Sequence, residues 1–502
     1  MTITFTPPSE PAATGQHHAD AARGNTAAAD AASQALSEAL EGTAPVGRVL
    51  LKAAAGAGKS YALKRLVREA LDHDRCDRVA VIAFTNKQLH PLAASLGKMI
   101  GRDHVCLFVK DTTIPDLPQA AADNATVVST ASAIPPETKV LIATSHKLGA
   151  INELNRQKNQ LGTGHDGTAV YDVLFVDEAW QLPHHLFDKV TKAAPIWVGV
   201  GDVGQLPPLE IGANPWRGDP GYNPYRAWPT DYEDDDRTWT RELPAVWRPA
   251  AGHLALWRAF YPEWESLNCV AAPGDRTLVT ELAGVAGDIW RQVGTGVPTL
   301  LEVDGLPDPE AADIDLPLMQ FVEDLLDQLF TAGFTLETAN YGDAEAGRPT
   351  GRTSSSRPGQ SPAHPLVAIL ATRNQAVDDA AEAVDRLRAK HGLTEKDIVS
   401  STVDSYQGQT NGLTVAIHPL TGAADLNEFN SAFGRLAVTC TRATHGLLLV
   451  SRPGLDQLLG DAPARPGNPY GEPGNRQLPR QTHQRILATF ARGTLTLAPA
   501  NA

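Results

Sequence analysis

Residues 53–60 read Ala-Ala-Ala-Gly-Ala-Gly-Lys-Ser, a run of small residues closed by a cation and a hydroxyl. Val49, Leu50 and Leu51 before it have the apolar character of a strand, and Tyr61, Ala62, Leu63 and Leu66 behind it open a helix. A loop of this kind lets backbone N–H groups wrap a phosphate chain at a helix N-terminus. Gly56, Ala57, Gly58, Lys59 and Ser60 are therefore candidate nucleotide-binding residues, with Lys59 reaching the β- and γ-phosphates and Ser60 holding Mg²⁺. Ala53 stands where such loops usually begin with Gly.

Two further apolar runs end in groups that complete this chemistry. Val173, Leu174, Phe175 and Val176 lead into Asp177-Glu178-Ala179-Trp180-Gln181. A buried parallel strand delivers acids to the C-terminal edge of its sheet in this way. Asp177 is the candidate Mg²⁺ ligand and Glu178 the candidate base for the attacking water. The run at 196–200 enters Gly201-Asp202-Val203-Gly204-Gln205, where Gln205 is placed to sense a γ-phosphate. In the second half, the apolar run 366–370 precedes Ala371-Thr372-Arg373-Asn374-Gln375. Later come Val403-Asp404-Ser405-Tyr406-Gln407-Gly408 and Arg435 to Ala443. Arg373 and Arg442, far apart in sequence, are candidates to converge on one triphosphate, where a guanidinium stabilises charge developing during transfer.

In order, these motifs resemble a superfamily 1 helicase with two RecA-like domains, closest to the branch of the nonsense-mediated-decay RNA helicases and their DNA-processing relatives. Residues 53–60 look like motif I, 83–87 like Ia, 142–145 like Ib, 177–181 like the Asp-Glu-Ala-x-Gln form of motif II, and 201–207 like motif III. Leu243, Arg248, Phe260 and Tyr261 follow a pattern seen after motif III in that branch. Arg373 and Gln375 look like motif IV, 403–408 like motif V and 435–443 like motif VI. The resemblance spans about 34–450 and implies ATP and Mg²⁺ as cofactors, 5′→3′ movement, and Gln34 as the adenine-reading residue. It also implies a nucleic-acid floor of Thr85, Asn86, Thr144 and Ser405, small polar groups suited to phosphate and sugar. Thr372 replaces an aromatic residue that can stack on the base, and Thr410 replaces an acidic residue. The first departure implies weaker stacking or another residue that supplies it, and the second a changed coupling between nucleotide and nucleic acid.

The fold class implied is α/β: two tandem RecA-like P-loop domains with mostly parallel sheets and flexible termini. Residues 1–32, polar and Ala-rich, read as a disordered tail; 33–265 as the first domain; 266–455 as the second; 456–502 as a Pro/Gly-rich tail. A strand is expected near 299–303, helices over 316–329 and 377–391, a flexible Gly/Ser/Arg/Pro-rich insertion at 342–364, and a short helix at 484–491. The tails would be open to protein partners.

The chain has 502 residues and a net charge of −15, which argues against a protein coated in basic patches but leaves room for a local groove. The acidic run 231–236 reads as a solvated loop. The aromatic residues between 216 and 264 read mainly as core, with Trp247 and Trp257 in helical context; a stacking platform for bases is the alternative. Four scattered Cys fit a reducing, cytoplasmic setting, and no run of apolar residues is long enough to span a membrane. The expectation is thus an ATP-driven helicase or translocase on single-stranded nucleic acid, DNA slightly before RNA. An NTPase switch that binds nucleic acid or protein without unwinding is the alternative. A P-loop ATPase unrelated to helicases is disfavoured by the motifs between 372 and 443.

Overall fold

The computed structural model describes residues 3–10, 14–204, 223–262, 264, 266–311, 314–342, 346–360, 362–372, 374–427, 430–431, 433–462 and 480–497. The chain divides into two compact units, one of Asn25–Leu243 and one of Met1–Gly24 with Pro244–Ala502.

The Asn25–Leu243 unit is built on strands β1 (Arg48–Ala53), β2 (Val79–Ala83), β3 (Val105–Phe108), β4 (Thr126–Val128), β5 (Val140–Thr144), β6 (Val173–Asp177), β7 (Ile196–Gly201) and β8 (Thr238–Leu243). They form one sheet in the order β4-β3-β5-β2-β6-β7-β1-β8. Every pairing in it is parallel. β2, β3 and β6 are buried along their whole length, which explains their near-continuous apolar runs. Parallel strands need crossovers, and helices α2 (Lys59–Leu71) and α3 (Asn86–Ile100) supply two of them, leaving β1 and β2 respectively. All C-terminal strand ends therefore lie on one edge, where the chain leaves β1 at Ala53, β2 at Ala83, β5 at Thr144, β6 at Asp177 and β7 at Gly201.

The other unit contains β9 (Ala245–Val246), β10 (Asn268–Cys269), β11 (Arg276–Val279), β12 (Thr299–Asp304), β13 (Thr335–Tyr341), β14 (Pro349–Ser356), β15 (Val367–Ala371), β16 (Ile398–Thr402), β17 (Asn411–Ile417), β18 (Ala443–Ser451) and β19 (Ala491–Thr496). A second large sheet runs β16-β15-β17-β18-β12-β19, again parallel throughout. Helices Leu316–Ala332 and Asn374–His391 contribute Leu318, Val322, Leu325, Leu326, Leu329, Ala380, Ala383, Val384 and Leu387 to its core. The α/β class with two parallel sheets is the one expected. Among the described residues, no helix is long and apolar enough to cross a membrane.

Several local readings differ. Residues 18–32, read as part of a tail, fold within helix α1 (His18–Glu41), and the division between the units falls within it. Its Ala-rich sequence is the reason: Ala has the highest helix propensity, and Ala28, Ala29, Ala32 and Ala35 are buried with Leu36. The boundary after the first unit lies at Leu243, not near 265, because β9 pairs with β10 and Arg248 Nη1 donates to Thr441 O at 3.0 Å. The insertion at 342–364 carries β14, antiparallel to β13, as the exposed edge of a three-stranded sheet with β11. The C-terminal stretch holds a helix at Arg480–Leu487 and then β19, which pairs with β12. Trp228 stacks on Phe187 at 3.9 Å, and Trp257, Phe260 and Tyr261 are buried, so these aromatics are core. Trp247 is not helical; it follows β9 and packs against Tyr341. The acidic run is tied down as well as exposed. Asp231 pairs with Arg226 and His184, Glu233 with Lys52, and Asp235 with Arg48.

Candidate active site

The phosphate loop follows from the way β1 ends. Ala53 is the last residue of that strand and fully buried, so the position usually held by Gly needs no glycine here. The left-handed conformations fall later, at Gly56 (φ 76°) and Gly58 (φ 102°), where a side chain would be strained. The turn closes when Ala57 N donates to Ala54 O at 3.0 Å. Gly58 then starts α2, and no side chain caps it. A thirteen-residue helix thus presents its N-terminal N–H groups and dipole at the loop. A support not anticipated from sequence comes from α1: the buried Asn25 donates its side-chain amide to Ala57 O at 2.9 Å.

Three carboxylates stand around the loop lysine. Lys59 Nζ lies 2.9 Å from Glu178 Oε1 and 3.6 Å from Asp202 Oδ2. Lys59 and Glu178 side chains are each 11% exposed, and that of Asp202 is fully enclosed. Glu178 holds a left-handed backbone (φ 51°, ψ 47°), a conformation unusual outside Gly that turns its carboxylate toward Lys59 directly after β6. Burial, and next the charge of Glu178, push the Asp177 carboxyl up to about 7, with Lys59 opposing them. Asp202 Oδ1 accepts from Gly204 N at 2.9 Å, which fixes the side chain. A loop of backbone donors with one ammonium and several acids beside a hydroxyl fits a nucleotide with a divalent cation, and Ser60 and Asp177 are the residues that would hold the cation.

Asp202 was missed as a site residue in the sequence, although a signal exists. It is the first residue after β7, just as Glu178 is the first after β6, and the two strands are parallel neighbours. Gly201, the last residue of β7, is needed for the same arrangement. A Cβ there would lie 2.7 Å from Ala179 N and from Trp180 Cε3, so the turn carrying motif II could not pack against the strand.

Thr85 caps α3 and is exposed, with Asn86 partly exposed behind it. Thr144 Oγ1 accepts from Lys147 N at 3.1 Å as the cap of the next short helix. Thr85, Asn86 and Thr144 thus all sit just after or at the ends of β2 and β5, adjacent strands of one sheet edge. Gln34 is exposed on α1 and donates to Glu38 at 2.7 Å; of the α1 residues it is Asn25 that bonds the phosphate loop. Gln205 and Arg373 lie outside the described residues.

In the other unit the structure brings the segments 403–410 and 435–443 together. Arg435 pairs with Asp404 at 3.3 Å, and Arg442 donates to Gln409 O and, at 2.8 Å, to Thr441 Oγ1. Arg442 is fully buried. Tyr406 lies within the electrostatic reach of Arg442 and Arg248, while burial pushes its phenol up. Ser405 is exposed, its backbone N–H donating to Thr402 Oγ1 at 3.1 Å.

A parallel sheet whose β1 feeds a small-residue loop and helix, with acids from β6 and β7 meeting the loop lysine, defines a P-loop α/β unit. Residues 36–210 match the family described as an AAA domain. No curated protein matches the chain. Among solved structures, the arterivirus nonstructural protein 10 helicase in complex with DNA is similar at 14% identity and a TM-score of 0.39, covering 85% of this chain and 64% of that one. The DUF1998 helicase MrfA bound to DNA is similar at 9% identity and a TM-score of 0.42, covering 91% of this chain and 52% of that one. The chain thus spans less than two thirds of the length of either.

Proposed function

We propose that the protein is an ATP-dependent helicase or translocase acting on single-stranded nucleic acid. The observation that carries the ATPase half is the meeting of Lys59 with Glu178 and Asp202 at the mouth of the phosphate loop. The nucleic-acid half is supported by the ordered motif set and by the contact of motif V with motif VI through Asp404 and Arg435.

In this reading, the loop amides and Lys59 bind the triphosphate, and Lys59 leaves Glu178 to do so. Mg²⁺ held by Ser60 and Asp177 would supply charge neutralisation on the phosphates. Glu178, freed from Lys59, accepts a proton from a water whose oxygen attacks the γ-phosphorus. The bond from the γ-phosphorus to its bridging oxygen breaks, and ADP leaves with the electron pair. Thr85, Asn86, Thr144 and Ser405 contact phosphate and sugar, so binding is indifferent to base sequence. The preference for DNA and the 5′→3′ direction belong to the same proposal on the strength of the resemblance, and a cytoplasmic setting on the four scattered Cys. A switch that binds nucleic acid without unwinding is the second reading, favoured by the net charge of −15. Unwinding of a tailed duplex under ATP tests the choice: product strands support the helicase, and ATP hydrolysis with neither unwinding nor movement supports the switch.

A further inference from the structure

Two loops leave the sheet edge side by side, because β2 and β6 are parallel neighbours. One loop begins α3 with Thr85; the other carries Asp177, Glu178 and Gln181. A single side chain joins them. Gln88 Oε1 accepts from Thr85 N at 2.9 Å and from Thr85 Oγ1 at 3.1 Å, closing a capping box. Its other end, Nε2, donates to Gln181 Oε1 at 3.0 Å. Gln181 is 6% exposed, and its backbone N–H donates to Glu178 O at 2.8 Å. Hydrogen bonds thus run from the Glu178 backbone through Gln181 and Gln88 to the hydroxyl of Thr85.

An ordinary capping box needs only the link between Gln88 and Thr85. The second link, into a buried amide on a different loop, has no capping purpose. Gln181 Nε2 is buried and makes no hydrogen bond among the described residues. This amide therefore has a donor uncommitted in the present arrangement, and can exchange partners when its loop moves. Displacement of Lys59 from Glu178 by a triphosphate acts on that same loop.

We propose that Gln88 is a positioning residue that couples nucleotide occupancy at Glu178 to nucleic-acid contact at Thr85, through its bridge to Gln181. The inference rests on the helicase or translocase reading and names the residue by which one end of this unit reports to the other. Coupling of this kind is reciprocal in binding and typically amounts to about 5- to 150-fold in affinity.

The test is the affinity of fluorescent oligo(dT) with and without AMPPNP and Mg²⁺. The wild-type protein should show affinities that differ by about tenfold between the two conditions. Gln88→Met, which keeps the volume but removes both polar ends, should bind AMPPNP and oligo(dT) separately while the ratio falls to about one. Gln88→Glu should restore the ratio, because a carboxylate still accepts from Thr85 and can accept from the uncommitted Gln181 amide. Gln181→Leu breaks the bridge from its other end and leaves the cap in place; it should uncouple as Gln88→Met does, and carries the test should Gln88→Met not fold. A Gln88→Met or Gln181→Leu protein with the wild-type ratio, changed only in melting temperature, overturns the inference and leaves the functional reading intact. A wild-type protein that binds oligo(dT) with the same affinity in both conditions also overturns the inference alone. One that binds no single strand overturns both.

Discussion

Glu178→Gln is the most informative single substitution, because two consequences of it run in opposite directions. Lys59 is held by Glu178 at 2.9 Å, and both side chains are mostly enclosed. A triphosphate must displace this ion pair before Lys59 can serve it. A hydrogen bond between charged groups contributes about 1.5–3 kcal/mol, equivalent to about 10- to 100-fold in a binding constant. The glutamine keeps the shape and removes the charge. Asp202 remains 3.6 Å from Lys59 and takes over part of the interaction, so the gain falls at the lower end, about tenfold. Burial, the larger cause of the raised Asp177 carboxyl, stays in place, while loss of the Glu178 charge removes the second cause and eases ionisation of Asp177. Nucleotide should therefore bind more tightly. Hydrolysis should fall by about 10²–10⁴, the usual contribution of a positioned base. Titration with a fluorescent ATP analogue measures the first effect, and phosphate release at saturating ATP the second. Unchanged or weaker nucleotide affinity in the variant would refute the view that Glu178 competes for Lys59.

Asn25→Leu removes the amide that holds Ala57 O and leaves that carbonyl without the donor, at a cost of about 1–3 kcal/mol in stability; nucleotide affinity should fall with it, as a melting curve and the same titration would report. Burial holds the imidazoles of His253, His418 and His445 down to about 3 and that of His483 to about 4, with Arg276 beside His253 and His445, and His483 and Arg492 beside His418. These groups take protons only in the unfolded chain, so stability is complete above about pH 6.5 and falls as pH drops toward 4, by about 2 kcal/mol per imidazole at pH 5; denaturant melts between pH 7 and 5 should show this loss, and a flat profile would contradict it. Binding of mixed-sequence oligonucleotides should be independent of sequence and weaken with salt at a slope of about −0.7 per phosphate neutralised, with few phosphates involved on so acidic a chain.

What could be read from the sequence was what buried parallel strands make visible. β6 is four apolar residues running into two acids, and both the strand and the delivery of its carboxylates to the sheet edge follow from that pattern. The strand near 299, the helix from 316 and the helix ending at His391 were legible for the same reason: each has a long apolar face against a core. Elements stabilised by small or polar residues were not. α1 buries alanines, whose small side chains give weak amphipathic contrast, so Asn25 was hidden in what looked like a tail. β14 is exposed along nearly its whole length and has no inward apolar row to betray it. The charge run at 231–236 looked solvated because three of its partners, Lys52, Arg48 and His184, are distant in sequence. Gln88 was invisible for a related reason: a capping residue has a complete local explanation, and only the fold reveals the second partner.

The proposed function requires that ATP hydrolysis be coupled to single-stranded nucleic acid. The rate of phosphate release at saturating Mg²⁺ and ATP, with and without single-stranded DNA or RNA, tests it most directly, with Lys59→Ala as the inactive reference. Hydrolysis should be slow alone and accelerate several-fold with a single strand of any base composition, and the Lys59 variant should show neither. A rate that neither DNA nor RNA alters, in a protein that hydrolyses ATP, would contradict that coupling.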